Sequence, residues 1–156
     1  MARVDPGLLA ALGRLIDEAN HAAAPPPIIG MAGAQGSGKS TLAAEAVDAL
    51  GAVTVSLDDV YLTRAERLAL AKEVHPLFAT RGPPGTHDLT LLNGVLDALR
   101  GGASDSEIRM PAFDKLADDR RPESDGPVVT GRPTAVLVDG WCLGATALAE
   151  VALVAP

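Results

Sequence analysis

The sequence predicts an α/β fold, in which a parallel sheet is flanked by helices, from three observations. Short apolar runs bounded by turn residues alternate with longer segments whose apolar residues recur at helical spacing. A glycine-rich segment stands between one apolar run and the helix that follows it. Acidic residues follow two further apolar runs, at the strand ends where parallel sheets meet their ligands.

Length and charge exclude several classes of function. The chain has 156 residues, the size of one domain, and a formal net charge of −7. This acidity argues against nucleic-acid partners and anionic membrane surfaces, both of which require basic residues. The sequence has neither a signal-peptide pattern nor an apolar run of about 20 residues. The single cysteine excludes an internal disulfide framework, so we expect a cytoplasmic protein.

The N-terminal segment is expected to form one helix followed by a linker. Asp5 suits an N-cap and Pro6 suits the first helical position. A proline-rich stretch, 22–27, ends this segment, which we treat as a unit (1–27) preceding the main domain (28–156). The predicted apolar face of the helix comprises Leu8, Leu12, Leu15, Ile16 and Ala19.

The main domain alternates predicted strands and helices. Thr63 and Glu66 form a capping box that begins one helix, which runs to about Val74, and Asp88 caps another, closed by Gly101 and Gly102. Residues 114–131 are charged and contain prolines, which indicates an exposed loop. The remaining predicted elements are strands at Ile28–Ala32, Val53–Leu57, Glu107–Phe113 (interrupted by Pro111) and Ala135–Val138, and helices at Lys39–Leu50 and Ala145–Leu153.

The glycine-rich segment matches the phosphate-binding pattern G-x-x-x-x-G-K-[ST] at every fixed position. Glycines allow backbone N–H groups to turn towards an anion, and the following helix directs its positive N-terminal dipole there. A flexible loop with a surface lysine is the alternative, but the strand before the motif and the helix after it favour ATP binding. The predicted nucleotide-binding residues are Gly33, Gln35, Gly36, Ser37, Gly38, Lys39, Ser40 and Thr41.

Three carboxylates at predicted strand ends are candidates for chemistry. Asp58 could accept a proton from a substrate hydroxyl, and Asp59 stands beside it. Each could instead cap a turn, an alternative stronger for Asp59. Asp139 follows four apolar residues, where an acidic group could hold Mg²⁺ together with Ser40. A turn before Gly140 is its alternative.

Several polar loop residues are candidates for substrate contact, each with a structural alternative. Asp88 could serve only as a helix cap, and the other side chains could be solvated loop charges. Cys142 lies in an apolar stretch and is expected in the core. The candidates for substrate binding are Asp59, Tyr61, Arg81, His87, Asp88, Lys115 and Arg120.

With these residues identified, the chain resembles P-loop small-molecule kinases of the uridine kinase, phosphoribulokinase and pantothenate kinase group, and within it the D-glycerate 3-kinases. The first matching stretch is common to many P-loop enzymes, whereas the second and fourth are typical of the kinase group. The third and fifth are typical of the glycerate kinases. In chain order the stretches are 33–41 (GAQGSGKST), 56–63 (SLDDVYLT), 81–88 (RGPPGTHD), 111–120 (PAFDKLADDR) and 138–144 (VDGWCLG).

The resemblance implies roles for individual residues in a P-loop NTPase-like fold. Lys39 would act on the ATP phosphates, and Asp58 would be the catalytic base with Tyr61 as its aromatic partner. Asp139 matches a magnesium-linked position that is usually glutamate, and Val60 replaces the usual phenylalanine. Contacts to the acceptor are implied for Asp88 and Arg120, with Asp114 and Lys115 in the same substrate-facing strip.

Kinases of this group are longer, so the resemblance covers their N-terminal part and implies a sheet truncated after its third core strand. Residues 28–32 would then have an open edge, available to a protein partner or to self-association. We expect weak activity at best from this chain, because groups that stabilise the transition state lie in the remaining part.

Three functions are compatible with these observations. The first is phosphorylation of a hydroxyl on a small organic acid, with D-glycerate as the expected acceptor. The second is a non-catalytic nucleotide-binding module that acts with a partner. The third is a kinase for uridine, pantothenate or a sugar phosphate. The cationic candidates Arg81, Lys115 and Arg120 favour an anionic acceptor, and the few aromatic residues disfavour a nucleoside.

Overall fold

The computed structural model describes residues 4–20 and 24–146 and contains a central parallel sheet of three strands. The strands are β1 (Ile28–Met31), β2 (Val53–Ser56) and β7 (Val136–Asp139), and β7 lies between the other two. Met31 and Ser56 both pair with Asp139, so the carboxyl ends of the three strands are level. This alignment brings the segments that follow all three strands to one edge of the sheet.

Among the described residues four α-helices flank the sheet, and the predicted caps begin three of them. The Asp5 side chain accepts from the Gly7 N–H at 2.7 Å, and Thr63 and Glu66 form the complete capping box. Asp88 accepts from the Leu91 N–H at 2.9 Å. The helices are α1 (Pro6–Ala19), α2 (Lys39–Leu50), α3 (Arg64–Glu73) and α4 (Leu89–Gly101). In residues 4–20 and 24–146, none of the helices has the length and apolarity to cross a bilayer.

The described residues form two apolar core clusters. One includes Val55, Leu99 and Val136 and packs α4 against the sheet, and Cys142, predicted in the core, is half-buried at the edge of this cluster. The other includes Ala46 and Leu137 and packs α1 and α2 together. Fully buried alanine at position 46 allows a close approach of these elements.

Fewer apolar residues of α1 and β1 are buried than the sequence predicts. Of the five residues expected on the face of α1, only Leu12 and Ile16 are buried, because α1 contacts the domain along a single stripe. The first strand is half-exposed rather than buried, and Ile28 is 43% exposed. The exposure of β1 follows from its position, since it is an edge strand that pairs only with β7 among the described residues.

The segment expected as an exposed loop, residues 114–131, instead contributes two strands. The predicted strand over residues 107–113 divides at Pro111 into β3 (Glu107–Arg109) and β4 (Phe113–Asp114). These pair antiparallel with β6 (Val128–Thr130) and β5 (Asp119–Arg120), respectively. The run of β-branched residues at 128–130 was the sequence pattern that could have predicted β6. The helix expected at 145–153 lies almost entirely outside the described residues, and Ala145 and Thr146 are not helical.

Candidate active site

The phosphate-binding motif forms a loop between β1 and α2. Gly36 and Gly38 adopt left-handed backbone angles, with φ of 75° and 89°, which favour glycine over residues with a Cβ. Lys39 begins α2, and its Nζ donates to the carbonyls of Gly33 at 2.8 Å and Ala34 at 2.9 Å. The loop therefore holds an ammonium group beside the positive end of a helix, an arrangement suited to phosphate.

Ser40 and Asp139, the two residues predicted as metal ligands, lie next to each other in the site. The Ser40 hydroxyl donates to Oδ2 of Asp139 at 3.2 Å. Asp139 is only 9% exposed, and its buried Oδ1 has no hydrogen-bond partner among residues 4–20 and 24–146. An unpaired buried carboxylate oxygen is costly unless a cation satisfies it. Two protein oxygens suit Mg²⁺, which binds through one or two carboxylates and keeps its remaining positions for water and phosphate.

Asp58 lies in a 3-10 turn (Leu57–Asp59) directly after β2, and this turn presents it to the same edge of the sheet. Its Oδ1 accepts from the Tyr61 hydroxyl at 3.0 Å, and its Oδ2 pairs with Lys115 Nζ at 2.7 Å. Burial alone would raise the pKa of Asp58, but the bonds from Lys115 and Tyr61 outweigh it and hold that pKa below its ordinary value. Asp58 is therefore ionised at neutral pH.

These groups surround one cavity of about 230 Å³. The phosphate loop, the Ser40–Asp139 pair and the Asp58–Lys115 pair share its wall, although they come from distant parts of the sequence. Sequence reasoning missed three residues of this wall, Ser56, Gly140 and Trp141, and Trp141 is 50% exposed. The position of Trp141, two residues after a strand-end carboxylate, was the signal that could have identified it. The lining residues are Gln35, Gly36, Lys39, Ser40, Ser56, Asp58, Lys115, Asp139, Gly140 and Trp141.

Behind Asp58, Tyr61 and His87 stack with their ring centroids 4.5 Å apart. Burial and the nearby negative charge of Asp58 raise the pKa of Tyr61, so its hydroxyl remains a proton donor to that carboxylate. Burial lowers the pKa of His87, an effect that the charge of Asp58 opposes. Within the part of the chain that the structure describes, the buried His87 Nε2 has no hydrogen-bond partner. The stack contacts Asp58 through the Tyr61 hydroxyl.

Residues 28–106, from β1 to the residue before β3, match a family model described as AAA domain. The chain belongs to this family. The sequence similarity to one relative extends over a longer stretch than this match. An uncharacterized kinase of Schizosaccharomyces pombe, mug58, is 44% identical to this chain over 131 residues. This alignment covers 76% of the chain and 47% of that protein.

Two glycerate kinases are also similar to the chain. The chloroplastic D-glycerate 3-kinase of Arabidopsis thaliana is 37% identical over 134 residues, which cover 77% of this chain and 29% of that protein. The structure of D-glycerate 3-kinase from Cryptococcus neoformans matches with a TM-score of 0.75 at 28% identity, covering 94% of this chain and 54% of that one. The chain is thus similar to part of these kinases and spans about half of their length or less.

In this AAA-family chain, Asp88 and Arg120, two residues predicted to contact the acceptor substrate, bind each other. The Arg120 guanidinium donates from Nη2 to the Asp88 carboxylate and to the Tyr61 carbonyl, both at 2.9 Å. Burial alone would raise the pKa of Asp88, but bonds from the Leu91 N–H and Arg120 lower it. Neither residue lines the 230 Å³ cavity. Together they fix the backbone of Tyr61 to the start of α4.

Asp59 and Arg81, also predicted as substrate contacts, lie outside the cavity wall as well. Burial raises the pKa of Asp59, partly offset by a bond from the Phe113 backbone N–H. Arg81 pairs with Asp118, and its guanidinium carbon lies 5.7 Å from the centroid of the Phe113 ring. Both side chains thus contact the β4–β5 hairpin, whose connecting turn carries Lys115.

Arg67 is a residue that sequence reasoning missed. It is fully buried in α3 and donates to the carbonyls of Leu62, Ala79 and Asp118. Its Nη2 also pairs with the Asp118 carboxylate at 3.0 Å. One side chain therefore joins α3, the segment after it and the hairpin turn. The local sequence has no signal for this role, because arginine in an amphipathic helix is usually exposed.

Proposed function

We propose that this chain is the nucleotide-binding and catalytic part of a kinase that transfers the γ-phosphoryl group of ATP to a hydroxyl of D-glycerate. One observation carries the proposal: Lys39, the Ser40–Asp139 pair and Asp58 line a single cavity. The names of the similar kinases support the reaction class and the acceptor. In this proposal residues 28–156 belong to the kinase domain, preceded by a helix and linker over 1–27.

The phosphate loop would bind the donor. Lys39 now bonds two loop carbonyls, and its ammonium would exchange them for oxygens of the β- and γ-phosphates. Ser40 and Asp139 would hold Mg²⁺, which when bound offsets charge on those phosphates. Phosphoryl transfer depends mainly on positioning and charge stabilisation, and both are functions of this loop and its neighbours.

Asp58 would orient the acceptor hydroxyl and take its proton. Its lowered pKa keeps it ionised, so that it can accept a hydrogen bond from the hydroxyl, but makes it a weak base, which suits a loose transition state in which the hydroxyl loses its proton late. Lys115 occupies one oxygen of Asp58 and is more than half exposed. When an organic acid binds, we expect Lys115 to bind its carboxylate, which would free Asp58 for the hydroxyl.

A second acceptor class is favoured by one observation. Trp141 lines the cavity and is half-exposed, so its ring offers a surface on which a nucleoside could stack. Lys115 and Trp141 therefore favour different acceptors, a carboxylate and a nucleoside base. A direct comparison of acceptors distinguishes these possibilities.

We expect phosphorylation of D-glycerate and not of uridine or pantothenate. Lys115 supplies a positive charge beside Asp58 that an anionic acceptor can pair with and the uncharged uridine cannot. Pantothenate is anionic, but its carboxylate lies far from its primary hydroxyl. Each acceptor is incubated with Mg-ATP, and the phosphorylated product is quantified by ³¹P NMR. Transfer to uridine alone would favour the nucleoside alternative. ATP binding without transfer to any acceptor would favour a non-catalytic module.

Replacing Lys39 with alanine is expected to weaken Mg-ATP binding by about 30-fold or more, since a charge-assisted contact to phosphate contributes about 2 kcal/mol. The measurement is calorimetric titration of Mg-ATP into the wild-type and variant proteins. Lys72→Ala is the matched control, because Lys72 is an exposed lysine in the last turn of α3. Unchanged affinity in Lys39→Ala would contradict the assignment of the loop to phosphate.

A further inference from the structure

The turn between β4 and β5, residues 115–118, ends in a residue with an uncommon backbone conformation. Asp118 has a φ of 56°, and in the described ranges 4–20 and 24–146 it is the single non-glycine residue with a positive φ. This left-handed conformation costs free energy for a residue with a Cβ, although aspartate and asparagine adopt it more readily than most. Other contacts must therefore hold the turn in this shape.

Two guanidinium groups bind Asp118 from outside the hairpin. Arg67 donates from Nη2 to the Asp118 carbonyl at 2.6 Å and pairs with one carboxylate oxygen at 3.0 Å, and Arg81 pairs with the other oxygen. Both guanidinium carbons also lie close to the Phe113 ring, 5.9 Å and 5.7 Å from its centroid. Burial alone would raise the pKa of Asp118, but bonds from Arg81 and Arg67 lower it. The three charged residues, here called the clamp, are thus fully charged at neutral pH.

The clamp holds the base of the hairpin, whereas the tip has little support of its own. β4 and β5 have two residues each, and Leu116 in the turn is fully exposed. The Asp114 carboxylate accepts from the N–H groups of Leu116 and Ala117 at 2.9 and 3.0 Å, which ties the turn together. A change at Asp118 would therefore be transmitted to Lys115 at the other end of the turn.

We propose that Asp118, through the clamp, is a positioning residue that holds Lys115 at the acceptor site and thereby selects short hydroxy acids, an inference that rests on the proposed function. Lys115 Nζ bonds Asp58 Oδ2 at 2.7 Å, so the cation proposed for the carboxylate of the acceptor is adjacent to the base proposed for its hydroxyl. An acceptor that uses both groups must carry its carboxylate and hydroxyl close together. Asp118 acts at a distance, because it does not line the cavity.

The sign of a pKa change at Asp58 shows whether Asp118 acts through Lys115. Burial raises the pKa of Asp58, and the bond from Lys115 is the largest effect that lowers it. If the clamp opens and Lys115 moves away, this pKa must rise. Loss of the negative charge of Asp118 acting directly through space would lower it instead, because a like charge disfavours ionisation. A rise therefore reports the movement of Lys115.

Asp118→Asn is the test variant, because asparagine also adopts left-handed backbone angles but cannot form an ion pair. We expect the KM for D-glycerate to rise about fivefold with the KM for ATP within about twofold, and the pKa of Asp58, followed by ¹³C NMR, to rise. Lys115→Met should raise the KM for D-glycerate by about tenfold, since it removes a charge-assisted bond. In the Lys115→Met background, Asp118→Asn should change neither quantity further.

Asp105→Asn is the matched control, since Asp105 is an exposed aspartate in the turn before β3. It should change neither the KM for D-glycerate nor the pKa of Asp58. Arg81→Gln is a second clamp variant that keeps the pair between Arg67 and Asp118 and replaces a side chain that is about one-third exposed. It carries the test if Asp118→Asn does not fold, with an expected KM increase of about threefold.

Two results would overturn the positioning role. One is an Asp58 pKa that stays at its wild-type value in the clamp variants. The other is an effect of Asp118→Asn on the KM that is equally large with and without Lys115. If the wild-type protein transfers no phosphate to D-glycerate, the proposed function fails, while the pKa of Asp58 still decides whether the clamp holds Lys115 in place.

Discussion

Replacing Asp58 with asparagine is expected to lower the rate of phosphoryl transfer by about 10²–10⁴-fold, the range for loss of a positioned proton acceptor. Asparagine keeps the shape of the side chain, and its amide oxygen can still accept from Tyr61. It removes the charge that Lys115 pairs with at 2.7 Å and the group that would take the hydroxyl proton. Because Asp58 would contact the acceptor rather than the donor, Mg-ATP affinity should change little.

Single-turnover transfer from γ-labelled ATP to D-glycerate measures this effect without a contribution from product release. Asp97→Asn is the control, since Asp97 is an exposed carboxylate on α4. A transfer rate within about threefold of wild type in Asp58→Asn would show that general-base catalysis, worth at least about 10²-fold, is not its role. Asp58 would then be a positioning residue for Lys115.

Replacing Arg67 with methionine is expected to lower the free energy of unfolding by about 3 kcal/mol, the lower end of the cost of removing one partner of a buried ion pair. The change leaves three backbone carbonyls without this donor. We use the lower end of the range for a broken buried ion pair because Asp118 is about one-third exposed and keeps its ion pair with Arg81. The methionine would still fill much of the space occupied by the arginine.

Urea unfolding followed by Trp141 fluorescence gives this free energy. The matched variant is Arg64→Met, which changes an exposed arginine in the same helix. Its unfolding free energy should stay within about 0.5 kcal/mol of wild type. If Arg67→Met unfolded at the same urea concentration as Arg64→Met, the buried guanidinium would contribute little net stability, and the hairpin turn would depend on other contacts.

The parts of the fold that could be predicted from the sequence are those determined by residues close together in the chain. A phosphate loop combines φ angles that favour glycine at Gly36 and Gly38 with a fixed lysine, so its pattern is readable without tertiary information. The caps at Asp5, Thr63 and Asp88 are local in the same sense, since each bonds a backbone N–H two or three residues ahead. These features placed the start of each helix correctly.

Features that depend on distant contacts could not be predicted. Arg120 and Asp88 have the residue types of substrate contacts, yet they are 32 positions apart and bind each other. Arg67 looks like a surface arginine because its acceptors, at Ala79 and Asp118, are far along the chain. The β4–β5 hairpin was missed for a related reason: each strand has two residues, too few to show an alternating pattern.

The order of strands in the sheet has a consequence for how the site assembles. Strands β1 and β2 do not pair with each other, because β7, the last strand in the described chain, lies between them. The phosphate loop and Asp58 are therefore held in register only after residues 136–139 have entered the sheet. Closing such a long chain segment costs entropy before any pairing compensates for it. During synthesis, the donor and acceptor halves of the site would remain uncoupled until almost all of the described chain had emerged.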